Sequence, residues 1–250
     1  MTAAPVRTTR TGNPDVHFGL VELDLLAAHA GVRFPFPLRV PESGRIAGER
    51  DVVLAAAGVT LRARALAGGH GPLGIAASLV TALREYRGTV DLVVAGPGST
   101  VGVVAMVYQS WALICGQPLT GIRATAGVWI RRVAQNMLAD ELIGMVPDVA
   151  PAQAMPITLP PDHHDPGMLL DLDGLVTDLA GSGQLGATRR GVDGDARSGT
   201  ELSWLDGPRG RVRVNRAADG WLSVNPLRQN DIRIALDSAA VIARREHDGT

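Results

Sequence analysis

The sequence predicts an α+β fold from three observations. Stretches with helically spaced apolar residues alternate with β-branched stretches of strand length. The links between neighbouring strands are too short for crossovers, which makes those strands an antiparallel meander. The order helix, antiparallel strands, helix occurs twice, from Gly71 to Val146 and from Asp165 to Arg244, so two similar α+β units sharing one sheet are expected. The 250 residues suffice for one large domain or two small ones. It is expected as two halves, about 16–150 and 162–245, behind a loose polar tail over 1–15.

In the first half, Gly19 to Ala30 reads as a short helix with Leu23, Leu26, Ala27 and Ala30 on one side, ended by Gly31. The segment from Val32 to Pro41 carries three prolines, which favour an extended path, and is expected to cross the body as a strap. Glu49 to Leu66 reads as a helix weakened at Gly58. Gly68-Gly69 breaks the chain, Pro72 fits the first position of the next helix, and Leu73, Ala76, Val80 and Leu83 form its stripe down to Tyr86. Strands follow over Thr89–Ala95, Val101–Tyr108, Trp111–Cys115 and Ile122–Trp129, and Ala134, Leu138, Leu142 and Met145 mark a closing helix. A Pro-rich bridge over Pro147–Pro161 holds one extended candidate, Ala154–Leu159.

In the second half, Asp165-Pro166 starts a helix carrying Leu169, Leu172, Leu175, Val176 and Leu179, with Asp165 as cap and Gly181-Ser182-Gly183 as its stop. Leu185–Arg190, Glu201–Leu205, Arg211–Arg216 and Trp221–Val224 read as strands, and Arg228–Arg244 as a final amphipathic helix. In Arg211-Val212-Arg213-Val214 the valines are expected to face a core and the arginines water. Gly191 to Thr200 is expected to be adaptable.

Composition removes several chemistries. The 24 basic residues are all Arg, which excludes Schiff-base, P-loop-lysine and lysine-base mechanisms. A formal charge of -1 gives no long-range field for nucleic acid. A single Cys, Cys115, cannot close an internal disulfide and sits in an apolar run. Together with an opening segment that lacks a signal-peptide core, this points to the cytoplasm. No run reaches the roughly 18 to 20 apolar residues of a membrane span.

The motifs carry little chemistry. Gly69-His70-Gly71-Pro72-Leu73-Gly74 fits GxGxxG, but a helix precedes it where a dinucleotide site needs a strand. Asp162-His163-His164-Asp165 reads as a polar linker, because adjacent histidines converge poorly on one ion. Ser99 lies in a strand-to-strand turn and lacks a nucleophile elbow. The remaining histidines, His17, His29, His70 and His247, have no orienting acid in the sequence. Asp140-Glu141 and Asp171-Leu172-Asp173 read as solvated carboxylates. Neither a catalytic set nor a metal or cofactor site emerges, and the Arg-rich strands read as a solvated edge or a protein contact.

Whole segments resemble the EspG family, secretion-associated chaperones of actinobacterial type VII (ESX) systems. They are Gly19-Leu20-Val21-Glu22-Leu23-Asp24-Leu25-Leu26 with Phe34-Pro35-Phe36-Pro37-Leu38, the hairpin Trp204-Leu205-Asp206-Gly207-Pro208-Arg209-Gly210-Arg211, and Asp219-Gly220-Trp221-Leu222-Ser223-Val224-Asn225-Pro226. The resemblance runs from about Val16 to Ala243. It implies a central antiparallel sheet flanked by helical layers in a quasi-twofold repeat, no enzymatic activity and no cofactor. The implied role is cytosolic binding of PE/PPE-type heterodimers or related helical substrates, held for export, with no nucleic-acid partner and no integral membrane association. The alternatives are an interaction module with a non-secreted partner and an enzyme whose site the sequence hides. The client surface implied by the family takes in the sheet and the second helical layer, which makes Leu172, Leu175, Arg189, Arg190, Arg211, Arg213 and Leu236 the candidates. Leu172, Leu175 and Leu236 serve a core equally well, whereas Arg211 and Arg213 are expected at a rim.

Overall fold

A computed structural model describes residues 14–44, 46–120, 127–161, 166–191, 194–197 and 201–245. The expected tail over 1–15 therefore falls almost wholly outside the described residues. The first half opens with β1 (Val16–Phe18) and α1 (Leu20–Ala30), which ends at Gly31 in the left-handed conformation that glycine adopts without strain. After the strap come α2 (Ala47–Ala63), a two-residue ribbon of β2 (Ala67–Gly68) and β3 (Gly71–Pro72), and α3 (Gly74–Glu85). The meander is β4 (Gly88–Gly96), β5 (Ser99–Tyr108), β6 (Trp111–Pro118) and β7 (Val128–Ala134). A 3-10 turn, Gln135–Met137, leads into α4 (Leu138–Ile143).

The second half repeats this order with β8 (Ile157–Leu159), α5 (Pro166–Val176), β9 (Gly181–Gly191), the side strand β10 (Gly194–Arg197), β11 (Leu202–Gly207), β12 (Gly210–Arg216), β13 (Leu222–Pro226) and α6 (Gln229–Arg244). Among the described residues the eleven strands outside the β2–β3 ribbon form one sheet in the order β1-β7-β6-β5-β4-β9-β11-β12-β13-β8, with β10 beside β9. Reading outward from the central β4–β9 pair, β4, β5, β6, β7, β1 on one side answer β9, β11, β12, β13, β8 on the other. The α+β fold with two halves sharing a sheet is what the order of elements predicts. Eight residue pairs, Gly88↔Arg189 to Ala95↔Ser182, join the halves.

Alternation along the strands sends apolar side chains to both faces. On one face, Val90, Leu92, Val103, Ala105, Ile114, Leu185, Ala187 and Trp204 lie beneath α4 and α6; this is the α6 face. On the other, the α3 face, Val104, Met106, Leu113, Cys115, Val128 and Ile130 lie beneath α1 and α3. Further along that face a smaller core of Ile157, Leu159, Val212 and Val224 lies beneath Leu175 of α5. The halves differ here. Between β1 and α3 the chain inserts α1, the strap and α2, whereas between β8 and α5 it has only residues 160–165. Among the described residues the second half has no counterpart of the α1–α2 cover.

Some expected elements shift. Pro72 does not start α3: it pairs with Ala67, and the helix begins after Leu73. The fourth strand lies at Val128–Ala134 instead of Ile122–Trp129, and residues 121–126 are outside the described set. Buried Arg131 hides this strand from an apolar pattern; ion pairs with Asp15 at 3.5 Å and Glu141 at 3.3 Å admit it. Gly181-Ser182-Gly183 does not stop a helix but opens β9, because Trp204 on the paired strand covers Gly183. Within the 191–200 segment expected to be adaptable, residues 194–197 form β10. The proposed Asp165 cap lies outside the described residues.

The strap does cross the body. Leu38 is buried, Arg39 donates its backbone N–H to Gln117 Oε1 at 2.6 Å, and Gln117 Nε2 donates back to the Arg39 carbonyl at 2.9 Å.

Candidate functional site

On the α3 face, α3 lies against β5, β6 and β7, and α5 lies against β11. The β4–β9 seam runs between these two supports. Of the seam residues that alternation directs to this face, Val93, Ala95, Ser182 and Gln184 are only half-buried, although theirs are the two central strands of the sheet. Farther along the seam, Thr89 and Asp91 are buried on this face. The result is a strip of the seam that α3 and α5 leave partly uncovered, with a short, mixed apolar and polar surface.

Its margins come from two connections. Pro37 of the strap reaches Gly102 of β5 so closely that a Cβ there would sit 2.9 Å from Pro37 Cγ. The neighbouring Phe36 is 59% exposed, with Arg197 5.9 Å from its ring centre. On the other margin Leu179, just past α5, is 43% exposed. It lies near Gly207, whose missing side chain lets the Leu175 carbonyl approach. Arg197 closes the deep end by donating to both oxygens of Asp91 at 3.3 and 3.2 Å, and it also pairs with Glu201. Burial pushes the Asp91 carboxyl above its ordinary range, and Arg197 opposes that push. Tyr86 donates to Asp195 at 2.7 Å and tethers β10 beside the same seam. Exposed apolar margins with an arginine beside one of them suit a protein surface better than a small molecule.

The sequence candidates do not form one surface. Leu172 is half-buried and Leu175 buried, both packed on the small core of the second half. Leu236 is on α6 itself and is buried between that helix and the opposite face of the sheet. Arg190 lies 4.5 Å over Tyr86 and donates to the Leu83 and Arg84 carbonyls, capping the C-terminus of α3. Arg189 is half-buried opposite Gly88, and Arg213 is exposed.

Arg211 corrects the expectation that it faces water, since it is 0% exposed. Alternation does carry it away from Val212, but the face it reaches is covered by the start of α6. There it donates to both Asp206 oxygens at 2.6 and 2.9 Å, to Gln229 Oε1 at 2.6 Å and to the Pro147 carbonyl at 2.9 Å. Phe36, Leu179, Ser182 and Gln184 were not singled out as contacts by sequence reasoning. The signal available was a Gly-Ser-Gly-Gln run, too polar and too small for the middle of a sheet covered on both faces.

Cys115 is fully buried and burial pushes its thiol up, away from nucleophilic character. His70 sits in the exposed turn of the β2–β3 ribbon. Asp162-His163-His164-Asp165 lies outside the described residues. Among the described residues there is no group of three or more His, Cys, Asp or Glu placed to hold a metal, and no helix long and apolar enough to cross a membrane.

A model of the EspG family matches residues 20–238. The fold also matches the Mycobacterium tuberculosis type VII secretion system chaperone EspG5, solved in complex with a PE25-PPE41 dimer. The TM-score is 0.67 at 13% sequence identity, covering 92% of this chain and 96% of that one. No curated protein matches the sequence.

Proposed function

The chain belongs to the EspG family of chaperones, and from that premise we propose that it binds a PE/PPE-type heterodimer or a related helical secretion substrate in the cytoplasm and holds it for export. The observation that carries this reading is the half-open β4–β9 seam. An apolar helical tip gains by covering Phe36, Leu179 and Val93, while Arg197 and Gln184 offer hydrogen bonds that fix its orientation. Covering the client's own apolar tip lowers the free concentration of a sticky surface by mass action. Release at the export machinery requires an interface that is specific yet dissociable.

The test is co-expression with helical secretion substrates, followed by affinity capture. A soluble complex is expected with at least one substrate pair. Phe36→Asp and Ser182→Trp, which alter a margin and fill the floor, are expected to reduce capture by tenfold or more (about 1.4 kcal/mol or greater) while leaving the melting temperature near that of the wild type. Capture by neither the wild type nor any variant, across all substrates tried, overturns the reading.

A further inference from the structure

Strand β10 is anchored without burying an apolar side chain. Gly194, Asp195, Ala196 and Arg197 are all exposed, and the pairs from Gly194↔Gly191 to Arg197↔Thr188 hold its backbone against β9. Side-chain bonds then fix it to the first half. Tyr86 at the end of α3 donates to Asp195 at 2.7 Å, and the Arg197 guanidinium donates to both oxygens of Asp91 at 3.3 and 3.2 Å. The bond to Asp91 crosses β9 at Gly186, where a Cβ would lie 2.6 Å from Arg197 Nη2 and 3.3 Å from Asp91 Oδ2. A glycine at that position keeps the path open.

Asp91 stands on one of the two central strands and is 2% exposed. A carboxylate so enclosed needs a compensating cation. The cation comes from a segment with no apolar anchor, and while it is paired with Asp91 and Glu201 its fork is committed within the chain.

We propose that β10 is a latch on the client surface, closed in the free protein by Arg197 on Asp91 and opened as a client seats. This rests on the β4–β9 seam being the client site and specifies how that site is regulated. Opening lengthens the uncovered strip from the pair Val93↔Gln184 to the next pair on the same face, Asp91↔Gly186. It also frees the Arg197 fork for carbonyl groups at the client's tip. Without a client the closed form is favoured, because opening leaves Asp91 enclosed and without its fork. Polar bonds at an exposed segment open locally, so the change leaves the rest of the sheet in place. Phe36, its ring centre 5.9 Å from Arg197, is the contact through which a client reaches the latch. A partner too small to cover both Phe36 and the seam does not offset the cost of opening and is rejected.

Hydrogen exchange of the full chain, followed by mass spectrometry, and capture of the substrate pair held by the wild type test the proposal together. Peptides covering 194–197 are expected to exchange by local opening, ahead of β4 and β5. Asp91→Asn, which removes the charge, and Gly186→Ala, which fills the path of the fork, are each expected to speed exchange there by about tenfold while leaving β5 unchanged. Capture is expected to tighten by the same factor, because apparent affinity scales with the open fraction. A lock supplies the converse. Arg189→Cys with Ala196→Cys sets two thiols directly opposite each other on β9 and β10, within disulfide range, and the native Cys115 is buried. Oxidation of this double variant is expected to lower capture by about tenfold or more, and dithiothreitol to restore it. Capture unchanged by the closed disulfide overturns the proposal, since the client then binds with β10 in place; so does exchange at 194–197 that neither single substitution alters. If the reduced double variant captures nothing, the single variants decide, and faster exchange without tighter capture overturns the proposal. Absence of capture by the wild type overturns the client reading and this one with it, whereas the lock and exchange outcomes overturn this one alone.

Discussion

At the residue scale, arginine is the recurring fastener. With no lysine in the chain, every cation is a planar fork able to make several directed bonds at once. Arg50 grips both oxygens of Asp24 at 2.8 and 2.9 Å, Arg84 donates to the His29 and Ala30 carbonyls at the end of α1, and Arg190 does the same for α3. Arg211 is the most enclosed of them. Replacing it by Met leaves Asp206 buried without its partner, and Arg211→Met is expected to cost about 3–5 kcal/mol in urea unfolding. Arg211→Lys retains the charge but not the fork and is expected to lose a smaller share. A second tight point is Gly183, where an added Cβ would lie 1.9 Å from the Trp204 ring. Trp204 is 1% exposed and has no room to retreat, so Gly183→Ala is expected to cost about 1–3 kcal/mol by overpacking, measurable in the same unfolding experiment. The arginine count was plain in the sequence. The burial of Arg211 was not, because alternation says which way a side chain points and is silent on what covers that face.

At the element scale, the strap is held by a polar clamp. Asp24 on α1 accepts from Arg50 of α2 and from the backbone N–H of Ser43 at 2.6 Å, which ties two helices and the strap to one carboxylate. Burial by itself would raise that carboxyl, but the bonds from Arg50 and Ser43 outweigh it and hold it below its ordinary value. A carboxyl held lower in the folded state than in the unfolded state adds stability above the unfolded value, about pH 4, and loses it as pH falls through the lowered one. Asp24→Asn is therefore expected to be less stable than the wild type at pH 7, with the gap narrowing below about pH 4. Thermal melts of both proteins between pH 3 and 7 check this; a gap constant with pH would show that the clamp does not depend on ionisation. The helices and most strands were legible, since their apolar residues recur at 3.6 or 2 positions. The fourth strand was not, because Arg131 and Arg132 interrupt its pattern, and the strand reading of Gly181-Ser182-Gly183 requires Trp204, 21 residues past Gly183.

At the scale of the whole molecule, β4 and β9 bind the halves into one sheet through pairs such as Asp91↔Gly186, about 95 positions apart in the chain. A protein divided along that seam should not behave as two domains. Residues 14–155 and 156–245 expressed separately each bare a long central strand to solvent, and each is expected to aggregate where the full chain unfolds in a single cooperative transition. Size-exclusion chromatography of the two pieces, with calorimetry of the whole, checks this; a stable, monomeric first half would show that the halves fold independently. The doubled order of elements made the shared sheet legible. The partly uncovered seam was not legible, because it depends on two supports stopping short of residues distant in sequence. The α1–strap–α2 cover over the first half and its lack of a counterpart among the described residues of the second set a limit on engineering. A helix fused across α5 to complete the symmetry would bury Leu172, Val176 and Leu179 more fully and raise the melting temperature, and it would also take the place into which a guest could settle. Here stability and service compete for the same square ångströms, so the hardiest variant of this protein is expected to be among the least useful.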